Sequence, residues 1–302
     1  MGNSKLDELC NTTLQPFLDS TTPFEEARYV LFGAPLDLTA SHRSGARFAP
    51  NAIRQASAYM ETYSPKTDLD LEKVSIADIG DLKDLCNVEG SLRNVETLIR
   101  MIHDAGKIPG MMGGEHTVTL GALRALRPDL IVDFDAHLDL RDELFGLKLS
   151  HATFMRRAFE EMNIRVIFIG GRAFSREEFK FAEADADHFT VYQSHDLRGS
   201  NKDRICNYLT DEVGKASSVY VSVDMDVLDP AYAPAVGNPS PDGMTVAMLS
   251  DLLETVWGEN VVGFDVTEIT PYYDSGITAI NGAHVILQAI YGLERAHRGR
   301  RG

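Results

Sequence analysis

Residues 135–139, DAHLD, carry two carboxylates and an imidazole at alternating positions. They follow an apolar run at residues 130–134, which is typical of a buried strand. Because residues two apart in a strand point the same way, the side chains of Asp135, His137 and Asp139 are expected to project together. Such a cluster costs free energy unless a cation lies between its groups. The motif therefore predicts a metal site, and the alternative is a solvated turn with an incidental histidine.

Polar residues follow an apolar strand at four places in the chain, in the segments KIPGMMGGEH, LIVDFDAHLD, YVSVDMDVLD and VVGFDVTEIT. In open α/β sheets, ligands bind in the crevice at the carboxyl ends of the strands. We therefore expect these four strand ends to form one site.

The candidate metal ligands in these segments comprise four carboxylates and two imidazoles: His116, Asp135, His137, Asp139, Asp224 and Asp226. Two divalent ions balance the charge of four carboxylates. An oxygen-rich set with some imidazole favours manganese over a closed structural zinc site. Two ions about 3.5–4 Å apart can hold a bridging hydroxide at neutral pH. The set therefore predicts a pair of Mn²⁺ ions.

Each of these residues also has a simpler explanation. His116 fits the start of a helix without a metal, and Glu268 fits a cap of Thr270 or of a backbone amide. Asp224 and Asp226 fit a capping or calcium-type pair. Coincidence at all four strand ends is harder to explain, which favours a shared site. GxGxxG, P-loop and GxSxG motifs are missing from the sequence.

The chain has 302 residues, of which 44% are apolar, and a formal net charge of −16. This length suits a single α/β domain spanning residues 1–302. The charge argues against nucleic acid as the main partner and favours a cationic substrate, although solubility alone also explains it. The sequence has no apolar stretch of about 18 residues, so no membrane span is predicted.

Three scattered cysteines, Cys10, Cys86 and Cys206, argue for a reducing compartment and against a disulfide framework. The first residues lack a basic segment followed by an apolar one, so no secretory signal is expected. Together these features predict a cytoplasmic protein.

Strand and helix patterns alternate along the chain. The predicted strands cover residues 29–33, 74–79, 107–112, 130–134, 165–170, 189–192, 218–223 and 261–264. The predicted helices cover residues 51–57, 91–106 with Ser91 as N-cap, 117–126, 152–161, 176–184, 203–215, 245–256 and 281–296. Gly80-Asp81 is expected to form a turn and residues 297–301, HRGRR, a frayed tail. The alternation predicts a parallel sheet with helices on both faces.

Several motifs resemble the signatures of the ureohydrolases, the arginase/agmatinase family. They are GGEHTVT, DFDAHLDLRDE, SHATFMRR, SVDMDVLDPAYAP and DVTEITP, and the loop PLDLTASHRSGARFAPNAIRQAS resembles the agmatinase branch in particular. The resemblance extends from about residue 29 to the last helix. It implies a three-layer α/β/α fold with a mostly parallel eight-stranded sheet, two Mn²⁺ per subunit, and hydrolysis of a guanidino group to urea and an amine.

The resemblance also implies roles for individual residues. One Mn²⁺ would take His116, Asp135, Asp139 and Asp224, and the other would take Asp135, His137, Asp224 and Asp226. Glu268 would hold the guanidinium, and His151 would carry a proton to the leaving amine. Asp139 would accept a hydrogen bond from the bridging hydroxide and move its proton. Family members are commonly trimers or hexamers, so a homo-oligomer is expected.

The substrate is predicted from the loop at residues 140–150, LRDELFGLKLS, which carries Asp142 and Glu143. Carboxylates near the tail pocket would bind a free amine and repel an amino acid's carboxylate, which favours agmatine. Alternatively, both side chains face solvent or pair with Arg141, and Lys148 reverses the local charge. The segment AVGNPSPDG, residues 235–243, and Gly171 depart from the usual agmatinase pattern, which leaves the substrate open.

Other functions are compatible with the same fold. Arginine, guanidinobutyrate, aminopropylagmatine and formiminoglutamate are alternative substrates within the family. A deacetylase on the related fold would use one zinc ion, but here both DAHLD and DMD are complete. A non-catalytic assembly subunit would have lost a ligand, and all six candidate ligands are present.

Overall fold

A computed structural model of the chain describes residues 2–199 and 201–299. Its strands are β1 (Cys10–Asn11), β2 (Tyr29–Ala34), β3 (Tyr63–Ser64), β4 (Leu69–Asp70), β5 (Ile76–Leu82), β6 (Ile108–Gly113), β7 (Leu130–Phe134), β8 (Arg165–Gly171), β9 (Phe189–Gln193), β10 (Val219–Asp224) and β11 (Val261–Thr267). Its helices are α1 (Gly2–Leu9), α2 (Ala49–Ser57), α3 (Val88–Asp104), α4 (Thr119–Leu126), α5 (Phe154–Met162), α6 (Arg176–Glu183), α7 (Asn201–Lys215), α8 (Val246–Leu253) and α9 (Ile277–Gly299).

The main sheet has the strand order β1-β5-β2-β6-β11-β10-β7-β8-β9 within the described ranges. Eight of these strands run parallel, as predicted, and the two-residue strand β1 adds an antiparallel edge. The four strands whose carboxyl ends carry the predicted site are β6, β11, β10 and β7. They are consecutive neighbours in the sheet, so their ends meet at one edge.

Helices cover both faces of the sheet, which confirms the three-layer prediction. Alternate residues of β7 point to opposite sides, so Val132 packs in one core cluster and Ile131 in the other. The first cluster contains buried residues of α2, α7, α8 and α9. The second contains buried residues of α3, α4, α5 and α6. Strands buried on both faces read as continuous apolar runs, as these do.

The start of α3 differs from the prediction. Its N-cap is Asn87, whose side-chain oxygen accepts the Gly90 N–H at 2.7 Å. The predicted cap, Ser91, lies inside the helix, where its hydroxyl donates to the Asn87 carbonyl at 2.7 Å. The expected start was therefore wrong, because Asn87 caps the helix by accepting a free amide of its first turn.

The predicted turn at Gly80-Asp81 is part of β5, which continues to Leu82. Strand β1 pairs with this end of β5, through Asn11 and Asp81. Gly80 has a φ of 84°, and a Cβ there would lie 1.8 Å from the Asn11 carbonyl oxygen. The glycine therefore allows the close approach of β1. The spacing of residues around Gly80 does not reveal this contact, because β1 is distant in the sequence.

Helix α9 is longer than predicted. It begins at Ile277, after Asp274, whose carboxylate accepts the Thr278 N–H at 2.8 Å. The helix continues through Gly299, so the part of the expected frayed tail at residues 297–299 is helical. The remaining residues of that tail lie outside the described ranges. Within those ranges, we find no helix long and apolar enough to cross a membrane.

Candidate active site

His116 follows β6 and lies at the centre of the predicted ligand cluster. Its imidazole is buried, and its Nδ1 atom faces three carboxylates. The Nδ1 atom is 3.2 Å from Asp135 Oδ2, 3.4 Å from Asp139 Oδ2 and 3.3 Å from Asp224 Oδ2. The ends of β6, β7 and β10 therefore bring these four side chains together, as the sequence analysis expects.

His137 belongs to a second cluster beside the first. Its Nδ1 atom is 3.3 Å from Asp135 Oδ1 and 3.1 Å from Asp226 Oδ2. The two tightest groups join His116 with Asp135 and Asp224, and Asp135 with His137 and Asp226. Asp135 belongs to both groups, as a bridging ligand must, whereas Asp224 belongs only to the first. The predicted bridging role of Asp224 stays a prediction.

A hydrogen bond at the Nε2 atom orients the ring of His116. Its Nε2 atom lies 2.8 Å from the Ser222 hydroxyl, which donates to Asp265 Oδ1 at 2.6 Å. The Ser222 proton is thus engaged by Asp265, so His116 donates from Nε2 and keeps the Nδ1 lone pair towards the carboxylates. A hydrogen bond on the outer nitrogen is the usual arrangement of a metal-binding histidine.

Two buried atoms of the cluster fit a bound cation. His116 Nδ1 and Asp135 Oδ2 have no hydrogen-bond partner among the described residues. Buried polar atoms are rarely left unsatisfied, and each costs free energy comparable to a lost hydrogen bond. Both atoms are of the type that coordinates divalent metals. The site is thus suited to hold a metal.

The pKa values of the cluster show the cost of its crowded charges. Burial raises the pKa of Asp139 to about 7 and that of Asp224 well above its usual range, and neighbouring carboxylates add to both shifts. Burial lowers the pKa of His116, but the nearby carboxylates, Asp135 first, outweigh it and raise the pKa. A divalent cation would relieve this crowding of negative charge.

Glu268 follows β11 and faces the same edge of the sheet. Its backbone has a φ of 64°, in the left-handed region that non-glycine residues seldom adopt. Its Oε1 atom accepts the His116 N–H at 2.8 Å. A Cβ on Gly237 would lie 2.5 Å from the Oε2 atom, so the neighbouring loop passes closely over the carboxylate. Burial raises the pKa of Glu268 to about 8.

His151 lies beside the metal cluster, on the loop that leads to α5. Its Nδ1 atom is 3.2 Å from the Thr39 hydroxyl, and its Nε2 atom is 3.0 Å from the Ser41 hydroxyl. Burial lowers the pKa of His151, so the ring is neutral at neutral pH. It can therefore take up a proton and release it again.

A cavity of about 340 Å³ opens above these residues. Its lining includes His137, Asp139, His151, Ser41, His42, Arg141, Leu144, Phe145, Glu178 and Asn238. Asp142 and Glu143 are not part of this lining. The Asp142 carboxylate accepts a hydrogen bond from Arg157 at 2.9 Å, and Glu143 is exposed. Their predicted contact with the substrate tail therefore lacks support from this geometry.

Arg172 anchors the loop at residues 235–243, the segment AVGNPSPDG. The guanidinium of Arg172 donates to the carbonyl oxygens of Asp226 at 2.7 Å, Ser240 at 2.8 Å and Pro241 at 3.1 Å. This loop carries Gly237 over Glu268. Its sequence therefore affects the site through backbone placement.

The sequence analysis missed several residues that support the site. Ser222 and Asp265 orient His116, whereas Thr39 and Ser41 contact His151. Ser222 and Asp265 are polar residues inside otherwise apolar strands, and this pattern could have indicated their role. Glu115 accepts a hydrogen bond from the Thr39 hydroxyl at 2.7 Å. The sequence analysis assigned a role to its neighbour His116 but none to Glu115.

The fold and the site together define an α/β protein with a candidate metal centre at the carboxyl edge of a parallel sheet, an arrangement suited to metal-assisted hydrolysis. The sequence profile of the arginase family matches residues 27–292. An agmatinase from Bacillus subtilis (strain 168) is 36% identical over 282 residues, which cover 90% of this chain and 93% of the relative. The chain belongs to the arginase family.

Other similar proteins agree with this assignment. A solved agmatine ureohydrolase of Thermoplasma volcanium has a TM-score of 0.88 and 38% identity, with 98% of this chain and 99% of that chain covered. A guanidinobutyrase from Pseudomonas aeruginosa (strain PAO1) is 32% identical over 287 residues, 91% of this chain and 89% of the relative. The protein is thus a ureohydrolase that acts on amidino or guanidino groups.

Proposed function

We propose that this ureohydrolase hydrolyses agmatine to putrescine and urea, with two Mn²⁺ per subunit. The observation that carries the proposal is the convergence of His116 Nδ1 and Asp135 Oδ2, which are buried and without protein hydrogen-bond partners among the described residues. They lie beside Asp139, which lines the cavity. The oxygen-rich donor set favours manganese, and similarity to agmatinases supports the substrate.

The six candidate ligands would hold the ions: His116, Asp135, His137, Asp139, Asp224 and Asp226. Bound divalent ions activate water at neutral pH and neutralise the crowded carboxylates. Asp135 contributes a carboxylate oxygen to each cluster, so it would serve as a ligand in both.

Three side chains then bind the substrate and transfer protons. The Glu268 carboxylate pairs with the guanidinium and fixes its orientation through charge-assisted hydrogen bonds. Asp139 accepts a hydrogen bond from the attacking water and moves its proton. The water oxygen forms a bond to the guanidinium carbon, and its proton passes to the neutral ring of His151. His151 delivers this proton to the leaving amine nitrogen as the C–N bond breaks, so urea and a protonated amine leave.

Agmatine has a cationic tail, and the protein carries a formal net charge of −16 that favours the approach of cations. Asp142 and Glu143 remain proposed contributors to this field. Because Arg157 neutralises Asp142 and neither residue lines the cavity, any influence on the substrate tail acts at a distance and is screened by solvent.

One observation favours a second candidate, guanidinobutyrate, whose tail ends in a carboxylate. Arg141 lines the cavity, and its Nε atom lies 3.4 Å from the buried carboxylate of Glu178. A substrate carboxylate would compete with Glu178 for this guanidinium. The similarity to a guanidinobutyrase gives this candidate further support.

Urea release by Mn²⁺-loaded protein tests the proposal, with agmatine, guanidinobutyrate and arginine compared at equal concentration. A clear preference for agmatine is expected. Preference for guanidinobutyrate would transfer the assignment to the second candidate, and absence of urea from all three would refute the proposed substrates.

We also propose that the chain forms a homo-oligomer, a trimer or a hexamer. Apolar side chains are exposed around a groove of about 540 Å³ between α2 and the start of α9. They include Phe48, Tyr59, Tyr272 and Ile280. Contiguous exposed apolar surface is typical of protein interfaces. Light scattering coupled to size exclusion tests this, and a monomer at micromolar concentration would contradict it.

A further inference from the structure

Thr39 and Glu115 form a chain of hydrogen bonds that ends at His151. The Thr39 hydroxyl is 2.7 Å from Glu115 Oε1 and 3.2 Å from His151 Nδ1. The three residues are buried and come from three separate segments: the loop after β2, the end of β6 and the loop before α5. Nothing in the reaction assigned above uses Glu115 or Thr39.

The hydrogen bonds of Glu115 determine where the hydroxyl proton of Thr39 points. Glu115 accepts four hydrogen bonds, from the backbone amides of Leu38 and Thr39 and from the hydroxyls of Thr39 and Thr117, at 2.7–2.8 Å. An ionised carboxylate can only accept, so the single hydroxyl proton of Thr39 points to Glu115. The Thr39 oxygen is then an acceptor towards His151: the backbone N–H of His151 donates to it at 3.1 Å, and its second lone pair favours a proton on Nδ1.

This arrangement determines the role of the other ring nitrogen. With the proton on Nδ1, the neutral ring of His151 keeps a lone pair on Nε2, the atom next to Ser41. Ser41 and His151 line the cavity, whereas Thr39 does not. The ring nitrogen that can exchange a proton therefore faces the substrate.

We propose that Thr39 and Glu115 are positioning residues that hold His151 in the Nδ1–H tautomer and stabilise its imidazolium form during proton transfer. The proposal rests on the role of His151 in the proposed function. Burial disfavours the charged ring, and the negative charge of Glu115, relayed through the Thr39 hydroxyl, opposes that cost.

A purely structural role of Thr39 is the competing explanation, because Glu115 also anchors the loop after β2. That anchor consists of the backbone amides of Leu38 and Thr39, each 2.7 Å from Glu115 Oε2. Thr39→Val keeps both amides and nearly the same side-chain shape, and it removes the hydroxyl, which contacts Nδ1 and the backbone N–H of His151. The variant thus separates the loop anchor from the contacts of Thr39 with His151.

The experiment compares Thr39→Val and Thr39→Ser in the full-length, Mn²⁺-loaded protein. Thr39→Val is expected to lower kcat for urea release by roughly 10- to 100-fold, because it leaves the buried Nδ1–H without an acceptor. KM and the bound manganese should stay unchanged, and Thr39→Ser should restore most of kcat. A loss of manganese, or failure of serine to restore kcat, would support the structural explanation.

A double-mutant cycle with His151→Asn provides the sharper test. If Thr39 acts through His151, Thr39→Val has less than about a twofold further effect in the His151→Asn background. Thr117→Val serves as the matched comparison, because it removes a hydroxyl from the same Glu115 oxygen without contacting His151. Its effect should be independent of His151. Equal effects of Thr39→Val in both backgrounds would overturn the proposal.

The ¹⁵N chemical shifts of the His151 ring give a readout that does not depend on turnover. They are measured in protein loaded with diamagnetic Zn²⁺ and assigned by difference from His151→Asn. The wild type should show a protonated Nδ1 and an unprotonated Nε2, and Thr39→Val should show a mixture. A protonated Nε2 in the wild type would refute the tautomer even if urea is released. The expected shifts without any urea release would refute only the proposed function.

Discussion

The close passage of the loop over Glu268 leads to a quantitative prediction for Gly237→Ala. A Cβ at this position would lie 2.5 Å from Glu268 Oε2, whereas ordinary contact begins at 3.4 Å. The carboxylate oxygen must therefore withdraw by about 1 Å, and a misplacement of this size costs on the order of 100-fold in rate. Gly237 does not have a positive φ, so alanine is compatible with the backbone itself.

The expected result is a fall of about 100-fold in kcat/KM for urea release, which corresponds to about 2.7 kcal/mol of transition-state stabilisation. Glu268 is not one of the candidate metal ligands, so manganese content should stay at the wild-type value. Urea release is measured under subsaturating agmatine, and bound manganese is measured by mass spectrometry of the same sample.

Gly214→Ala is the matched control, because a Cβ there meets nothing within 4 Å and the residue lies in α7. It should retain wild-type kcat/KM. If Gly237→Ala also retains wild-type kcat/KM, the position of the Glu268 carboxylate does not limit the reaction. If it loses manganese as well as activity, the substitution disturbs the ligand cluster and the reasoning about Glu268 fails.

Three further predictions concern the metal cluster and the core. Asp135→Asn should reduce bound manganese from about two ions to fewer than one per chain, measured by elemental analysis, because Asp135 belongs to both clusters. Ser222→Ala should weaken metal affinity about 10- to 100-fold in a competition titration, because His116 loses its outer partner. Arg54→Met should lower the free energy of unfolding by about 3–5 kcal/mol, measured by urea denaturation, because it leaves the buried Asp78 unpaired.

Each of these predictions has a contrary outcome. Retention of two ions by Asp135→Asn would show that Asp135 does not bridge the metals. Unchanged affinity in Ser222→Ala would show that His116 is held without its outer hydrogen bond. An unchanged unfolding midpoint for Arg54→Met would mean that Asp78 finds another partner or takes up a proton.

The sequence alone predicted the layers of the fold and most of the strands. Strands buried on both faces read as apolar runs, and this signal is local to each strand. It failed where structure depends on distant neighbours. Strand β5 extends beyond the expected turn at Gly80 because β1 pairs with it, and β1 itself is only two residues long. The early start of α3 is a separate miss with a local cause, because Asn87, four residues before Ser91, caps the helix.

The ligand types were also present in the sequence, because alternating carboxylates and imidazoles after a buried strand are a local pattern. Which strand ends meet is decided by the order β6-β11-β10-β7, in which β10 and β11 are the one adjacent pair that is also consecutive in the chain. The pairing of Asp142 with Arg157, which removes it from the cavity, is likewise a product of packing between a loop and a helix.

The supporting residues of the site depend entirely on tertiary structure. Thr39 meets Glu115 across a sequence separation of 76 residues and His151 across 112 residues. No periodicity in the sequence reports such contacts, since periodicity describes the faces of a single strand or helix. The sequence therefore determined which chemical groups are available, and the tertiary structure decided which nitrogen of His151 carries its proton and which carboxylate stands behind it.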